Sequence, residues 1–493
     1  MDTLLDALAN WKPFNALVLG DFMLDQQLYG DAERLSADAP VPVLRVTRQD
    51  SMSGGAGNLA EDLIALGGGV KVFGVTGEDA EGELLRRHLG KSKIDTTGLI
   101  ADAARPTTVK RNLIGLAQHR HPQKMFRVDF ESRDALSADV SGRLLAALEA
   151  ALPTADVLCL EDYDKGVCDE ATCRAVIELA RKHGVPLLVD PASRDDFARY
   201  RGCTSITPNR SEAERATGRR HAMTSAEQRQ ELAHELARQL DCDAVVLTLD
   251  RDGALLLERH AEPVSVPTVA REVYDVTGAG DMMLAGLAAA RANGLSWPDS
   301  VRFANAAAGL EVQIFGVKPI PLADVHRELM RQAGRLTGKL RTIEELCDEI
   351  AGVRRHGGTV VFTNGCFDVL HAGHVSLLEK SAELGDFLVV GLNNDDSVRR
   401  LKGEGRPVHS ALDRARVLGA LEPVGAVVLF EEDTPIKLIE AIKPEVLVKG
   451  ADYAGKEVVG QKVVEAAGGR VELVDLVQGL STTSALSRLG AGR

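Results

Sequence analysis

Two short stretches of the chain hold residue types at spacings that can do chemistry. The first, DVTGAGD at 275–281, sets two glycines, an alanine and a carboxylate where the apolar run MMLAGLAAA begins. A glycine turn entering a helix leaves several backbone N–H groups without internal partners, and the helix dipole adds partial positive charge. Such a place attracts anions, phosphates above all. A carboxylate there repels a phosphate unless its task is to take a proton beside one; the plain alternative is that Asp281 caps the helix. The second stretch, TNGCFDVLHAGH at 363–374, puts His371 and His374 three apart where a helix follows a buried strand. Two imidazoles at that spacing could bind a metal, but no third ligand is near and a helix start favours an anion. Capping or packed imidazoles are the alternative there.

The elements that must position these groups alternate along the chain. NALVLGD reads as a strand ending in a polar turn, GNLAEDLIALGG as a helix, and VKVFGVTG as the next strand. GRLLAALEAAL, DVLCLEDY, ATCRAVIELARKHG and PLLVDPAS continue the rhythm, and AVVLTLDRDGALLLE gives two strands joined at an Asp-Gly turn. This order predicts a parallel, doubly wound sheet with some antiparallel additions. The rhythm breaks around LMRQAGRLTGKLRTIEEL, where a new helix begins near Thr342. It restarts with GGTVVFTNGCFDVLH, DFLVVGLNND, AVVLF, VLVKG and RVELVD. The expected fold class is therefore α/β with two doubly wound domains: 1–332, then a connecting segment with a first helix at 333–354, then 355–493.

Composition bounds the rest. At 493 residues, with 45% hydrophobic and 26% charged residues, the chain is long enough for two to four globular domains. No apolar run reaches the roughly 18–20 residues of a membrane-crossing helix, and the N-terminus lacks a signal peptide's basic start and cleavage site. The expectation is a cytoplasmic protein without membrane partners. Seven scattered cysteines without C-x-x-C spacing read as buried reduced thiols. A net charge of −14 argues against nonspecific nucleic-acid binding but not against small anions.

Doubly wound sheets hold ligands at strand ends and the turns after them. In the first half those places carry Asp21, the glycines of SGGAGN (Gly54, Gly55) with Asn58, Asp190, Asn209, Glu212 and Asp281. GGAGN lacks the full G-x-G-x-x-G spacing of a dinucleotide fingerprint. Asn209 and Glu212 lie three apart, which on a helix gives them one face. Taken in order, Gly54-Gly55, the N-x-x-E of Asn209 and Glu212, and DVTGAGD resemble the ribokinase-like (PfkB) sugar kinases over roughly residues 10–320. The resemblance implies that Asp281 takes the proton from a sugar hydroxyl. It also implies that the turn of Gly278, Ala279 and Gly280, with the Asp281 amide, holds the phosphate in transfer. Asn209 and Glu212 would organise Mg²⁺ through water, and the turn at Gly253 would border the nucleotide. A positioned base contributes on the order of 10²- to 10⁴-fold. Asp21 and Asn58 suit sugar hydroxyls. A phosphate already on the acceptor needs cations, for which Arg34, Lys110, Arg111, Arg127 and Lys165 are candidates; each could equally be a solvated surface charge.

The second half resembles the HxGH cytidylyltransferase-like nucleotidyltransferases over about residues 355–490. The supporting motifs are RLKGEGRP (Lys402, Arg406), VLVKGADY (Lys449) and LSTTSAL (Ser481, Thr482, Thr483). The resemblance implies attack by a phosphate oxygen on the α-phosphorus of a nucleoside triphosphate, with pyrophosphate leaving. His371, His374 and the lysines would stabilise the triphosphate charge. Asn364, Gly365 and Phe367 would form the nucleotide loop, steadied by Asp368. A sugar phosphate, with a second pKa of about 6, attacks without a strong base. An alcohol does not.

With RLSADAPVPVL, EDYDKG, FRVDFE and EEDTP, the fused pattern resembles the bifunctional heptose 7-phosphate kinase/heptose 1-phosphate adenylyltransferases of lipopolysaccharide synthesis. That resemblance implies two ATP-using reactions and association through the kinase half. A sugar kinase fused to a cytidylyltransferase for a different sugar or alcohol would keep every motif.

Overall fold

Runs such as Leu17-Val18-Leu19 and Val157-Leu158-Cys159-Leu160 are apolar without alternation, as strands covered on both faces must be. In the computed structural model they form the middle of a parallel sheet. The structure describes residues 2–116, 123–219, 225–268, 276–314, 316–333, 339–355, 357–453, 455–456 and 458–475. The chain divides into two compact units, Met1–Leu329 and Met330–Arg493.

Among the described residues, the first unit holds a nine-stranded sheet. Its order is Val264–Val266, Ala254–Glu258, Ala244–Thr248, Ser205–Ile206, Leu187–Asp190, Val157–Glu161, Phe14–Gly20, Gly68–Thr76 and Asp95–Ala101. All pairings are parallel except those made by Ala254–Glu258, which runs antiparallel to both neighbours. Helices such as Ala138–Ala151 and Glu170–His183 bury Leu144, Leu148, Val176 and Ile177 against Leu17, Leu160 and Val189. The chain leaves Phe14–Gly20 toward one edge and Val157–Glu161 toward the other. This topological switch point is where open sheets place their ligands.

A second sheet in this unit has four strands, Pro42–Gly55, Phe22–Leu35, Thr108–Leu116 and Gln123–Phe130. It carries exposed Leu35, Val46, Phe126 and Phe130.

The second unit is built on a six-stranded, wholly parallel sheet. Its order is Leu340–Arg341, Ala426–Phe430, Phe387–Asn393, Val360–Gly365, Val446–Gly450 and Arg470–Val474. One face packs on Leu346 and Ile350 of the helix Ile343–Arg355, and the other on Phe367, Leu378 and Leu418. Residues 340–355 thus do more than connect the halves: they supply an edge strand and a core helix. Its switch point lies between Val360–Gly365 and Val446–Gly450.

Candidate active sites

In the first unit the helix Ala279–Ala292 begins at Gly278, whose φ of 91° is left-handed. A Cβ at Gly278 would stand 2.6 Å from Glu311 Oε1, so only glycine fits this turn. Asp281 is the third helical residue and 3% exposed. Asn58 Nδ2 donates to one carboxylate oxygen (3.1 Å) and the Tyr163 hydroxyl to the other (2.9 Å). Burial pushes its pKa up to about 6, while Tyr163, Asn58 and the charge of Lys110 pull the other way. A carboxylate poised there is ionised at neutral pH yet can hold a proton, as a general base must. A simple cap is excluded by the geometry: the cap position is Gly278, and no side chain caps this helix.

Oxygens of Glu161 and Asp190, each at a strand end, lie with Asp281 within 4.8 Å of one another. Burial first, then the charge of Asp190, holds Glu161 well above the usual carboxylate range; burial first, then the charge of Glu212, does the same for Asp190, and Asp281 pushes both the same way. Glu161 Oε2 has no hydrogen-bond donor. This concentration of hard oxygen donors fits a divalent cation such as Mg²⁺.

Asn209 and Glu212 do not share a helix face. Asn209 is the N-cap of Arg210–Thr217: its side chain accepts from Glu212 N–H (3.0 Å), while Glu212 Oε2 accepts from Asn209 N–H (2.9 Å). N-x-x-E is the spacing of a capping box, and the competing helix-face reading ignored that signature. The loop that leads into this cap still reaches the carboxylates, since the Thr207 hydroxyl, two residues before Asn209, donates to Asp190 (2.9 Å). Thr248 N–H donates to Pro208 C=O (3.0 Å), joining this loop to the turn that contains Gly253.

Asp21 has a different task from the one expected. Its carboxylate accepts from the amides of Tyr163 (2.9 Å), Lys165 (3.0 Å) and Val167 (3.3 Å). Its pKa rises to about 6, through burial first and Asp162 second. A carboxylate filled by three amides anchors the 163–167 loop instead of meeting a sugar. Arg34 lies nine residues beyond Asp25 on the same strand, on the order of 30 Å away at strand rise, and is exposed. Arg111 alternates to the other face from Lys110 and is taken by Gln26 (2.8 Å) and Glu81 (3.6 Å). Lys165 pairs with Glu131 (2.6 Å), and Arg127 with Asp129 (2.8 Å). Lys110 does reach the site: its Nζ stands 5.1 Å from the centre of the Tyr163 ring.

Three groups here escaped the sequence reading: Glu161, Tyr163 and Asp25. Tyr163 stands two residues past the strand Val157–Glu161 in EDYDKG, which marks it as a strand-end residue. Asp25 interrupts an apolar strand start, FMLDQ, and its Oδ1 is buried without a partner. Its Oδ2 occupies the space that a Cβ on Gly54 would need (2.6 Å), which explains that glycine. Gly55 caps the helix Ala56–Ala65. Burial raises the Asp25 pKa, with Lys110 and Arg127 opposing.

In the second unit His371 is the N-cap and His374 the third residue of the helix Ala372–Ala382. Their rings stack 3.9 Å apart, with Phe367 5.2 Å from His374. Burial, then the neighbouring His371, lowers the His374 pKa to about 4, so that ring is neutral at physiological pH. Both Nδ1 atoms are buried without partners, as donors waiting for ligand oxygens would be. Across the switch point, Lys449 Nζ donates to Asn364 Oδ1. Gly365 packs against the Phe367 ring. Asp368 accepts from Arg406 and from the amides of Val408 (2.6 Å) and His409 (3.3 Å), so it fixes the loop and occupies Arg406. Lys402 is exposed at the end of Asp395–Lys402. The buried Arg414, also missed, ties Cys366 C=O (2.6 Å), His409 C=O (3.0 Å) and Asp395 (2.8 Å) together. Ser481, Thr482 and Thr483 lie outside the described residues.

Comparison with known proteins finds relatives of both units. Residues 14–322 match the pfkB family carbohydrate kinases, and residues 362–477 match the cytidylyltransferase-like family. The "Bifunctional protein HldE" of Geobacter sulfurreducens is 44% identical over 475 residues, covering 96% of this chain and 95% of that one. That of Gluconacetobacter diazotrophicus is 43% identical over 485 residues, covering 98% and 99%. Among solved structures, Arabidopsis thaliana ribokinase complexed with ribose and ATP has a TM-score of 0.52 at 21% identity, covering 64% of this chain and 99% of that one. Escherichia coli phosphofructokinase-2 in complex with potassium has a TM-score of 0.54 at 20% identity, covering 65% and 99%. At such identity these two establish the fold. With a carbohydrate-kinase domain, a cytidylyltransferase-like domain and relatives matched over nearly their whole length, the chain belongs to the HldE family of bifunctional proteins.

Proposed function

We propose that this chain makes ADP-heptose for lipopolysaccharide in two steps. Its first unit moves the γ-phosphoryl group of ATP to C1 of D-glycero-D-manno-heptose 7-phosphate. Its second unit joins heptose 1-phosphate to AMP from ATP, releasing pyrophosphate, after a separate phosphatase has removed the 7-phosphate. The observation that carries the reading is Asp281 at the third residue of a glycine-capped helix. Its two oxygens are held by Asn58 and Tyr163. The Gly280 and Asp281 amides face a phosphate while the carboxylate takes the C1 hydroxyl proton. Phosphoryl transfer needs positioning and charge stabilisation more than covalent help. Asp25 and Lys110 are assigned to the acceptor, the carboxylate for hydroxyls and the ammonium for charge. Mg²⁺ entering with ATP would be held through water by Asp190, Glu161 and Glu212, where it would neutralise phosphate charge.

In the second unit the acceptor is already an anion. His371, His374, Lys449 and the Ala372 and Gly373 amides stabilise the triphosphate as the α-phosphorus is attacked. The apolar face of the four-stranded sheet, with Leu35, Val46, Phe126 and Phe130 exposed, supports a homodimer through the kinase half. Sedimentation of wild type against Phe126→Glu tests it. Among the described residues, no helix is long and apolar enough to cross a membrane. We assign the enzyme to the cytoplasm, where ATP is available.

Mass spectrometry of products from heptose 7-phosphate and ATP, with and without added phosphatase, tests the function. The bisphosphate alone is expected without phosphatase, and ADP-heptose with it. Pyrophosphate release only with CTP, or turnover only of another sugar phosphate, would replace this reading by a different fused kinase and transferase.

A further inference from the structure

The strands Ser205–Ile206 and Ala244–Thr248 run parallel with Ser205 opposite Ala244. The pairing continues toward the start of both segments, where Gly202 N–H donates to Leu240 C=O (2.7 Å) and Asp243 N–H to Thr204 C=O (2.9 Å). The same register carried back two residues sets Cys203 opposite Cys242. Neighbouring strands lie about 4.8 Å apart, inside the roughly 4.4–6.8 Å between Cα atoms that a disulfide spans. Both cysteines are free and 3% exposed, and each thiol shifts the other's titration. Cys242 lines a surface cavity of about 530 Å³, whose wall sets the guanidinium groups of Arg201, Arg238 and Arg259 against Asp241 and Glu258. This cavity lies at the starts of the strands, whereas Asp190 and Asn209 stand at the opposite, ligand-binding ends.

We propose that Cys203 and Cys242 form a redox modification site: a resting dithiol that hydrogen peroxide, entering the cavity, closes to a cross-strand disulfide. Cys242 is the attacking sulfur, since the cavity reaches it. The hydrogen bond from Cys203 holds its thiol below the usual range, and Arg259 acts in the same direction. That same contact, with burial, pushes the Cys203 thiol up, which suits a resolving partner. The Cys242 thiolate attacks one peroxide oxygen; the O–O bond breaks, hydroxide leaves and takes up the thiol proton as water, and the sulfur becomes a sulfenic acid. Cys203 then attacks that sulfur; the S–O bond breaks, the S–S bond forms, and a second water departs with the Cys203 proton. Two thiols and one peroxide give one disulfide and two waters.

Cys168 and Cys173 provide an internal control, because they too are buried and in contact. The folded full chain is treated with equimolar hydrogen peroxide at neutral pH, capped with N-ethylmaleimide and mapped without reductant. The expected product is a peptide linking Cys203 to Cys242, with two of the seven thiols protected and both restored by dithiothreitol. In Cys203→Ser, dimedone should tag Cys242; in Cys242→Ser, Cys203 should stay untagged. Closure of Cys168 with Cys173 first, or a tag on Cys203, overturns the proposal. So does an unmodified Cys242 in the wild type after other thiols have reacted, a result that needs no variant to fold.

Discussion

The two sites place their reactive groups at the same point of the same local structure. Gly278-Ala279-Gly280-Asp281 and His371-Ala372-Gly373-His374 each give an N-cap, an alanine, a glycine and the reactive residue at the third helical position. Both use free first-turn amides to attract an anion. Burial then pushes each group toward its neutral form: Asp281 up to about 6, His374 down to about 4. For a base the neutral form is the inactive one, whereas a neutral imidazole is still a donor. On the proposed reading, one scaffold serves an alcohol acceptor with an acid residue and a phosphate acceptor with histidines, and the difference lies in who must give up a proton.

The strongest way to break this comparison is Asp281→Asn. Kinase turnover should fall on the order of 10²- to 10⁴-fold, while pyrophosphate release from heptose 1-phosphate and ATP stays unchanged; loss of both would deny separate sites. The same exchange tests the burial argument. Because the folded pKa lies above the unfolded 3.8, Asp281 stabilises the fold least once ionised, and this cost grows as pH rises from about 4 to about 6. The Asn variant should gain up to ~3 kcal/mol at pH 7 and nothing below pH 4, as read by denaturant unfolding.

His374→Ala is next: transferase kcat should drop about 10²- to 10³-fold with the kinase intact, and an equal loss in both activities would refute the assignment. Asp25→Ala should raise the kinase KM for the sugar phosphate roughly 10-fold or more, as loss of a charged hydrogen-bond partner does, with kcat less affected. An effect on the KM for ATP alone would place Asp25 elsewhere. The smallest effect sharpens the pH contrast. Kinase activity should rise with pH through about 6 as Asp281 ionises and then level. Tyr163→Phe removes a hydrogen bond that lowers the Asp281 pKa, so this limb should move to higher pH by on the order of one unit. Transferase profiles should not move.

Much of this was legible in the sequence, for reasons that can be named. Buried parallel strands read as uninterrupted apolar runs, and Gly278 announced a helix start because the turn admits no Cβ. The roles proposed for Asp281, His371 and His374 rest on short motifs. What the sequence hid was pairing across distance. Nothing local to Asp21 says that its carboxylate is filled by amides 142 to 146 residues away. Nothing local to Tyr163 says that its hydroxyl meets Asp281. The four-stranded sheet went unread, because its solvated strands lack a continuous apolar run. Asn209 and Glu212 were misjudged for a different reason: the capping-box signature was present and was assigned to a helix face.

The contact between Lys449 and Asn364 has a consequence for substrate entry. The ammonium reaches across the mouth of the second sheet to donate to a neutral amide, a partner that can yield it to phosphate oxygens without being left as an unpaired charge. A carboxylate in place of that amide would turn a latch into a lock: Asn364→Asp should keep its fold yet shut the mouth against ATP.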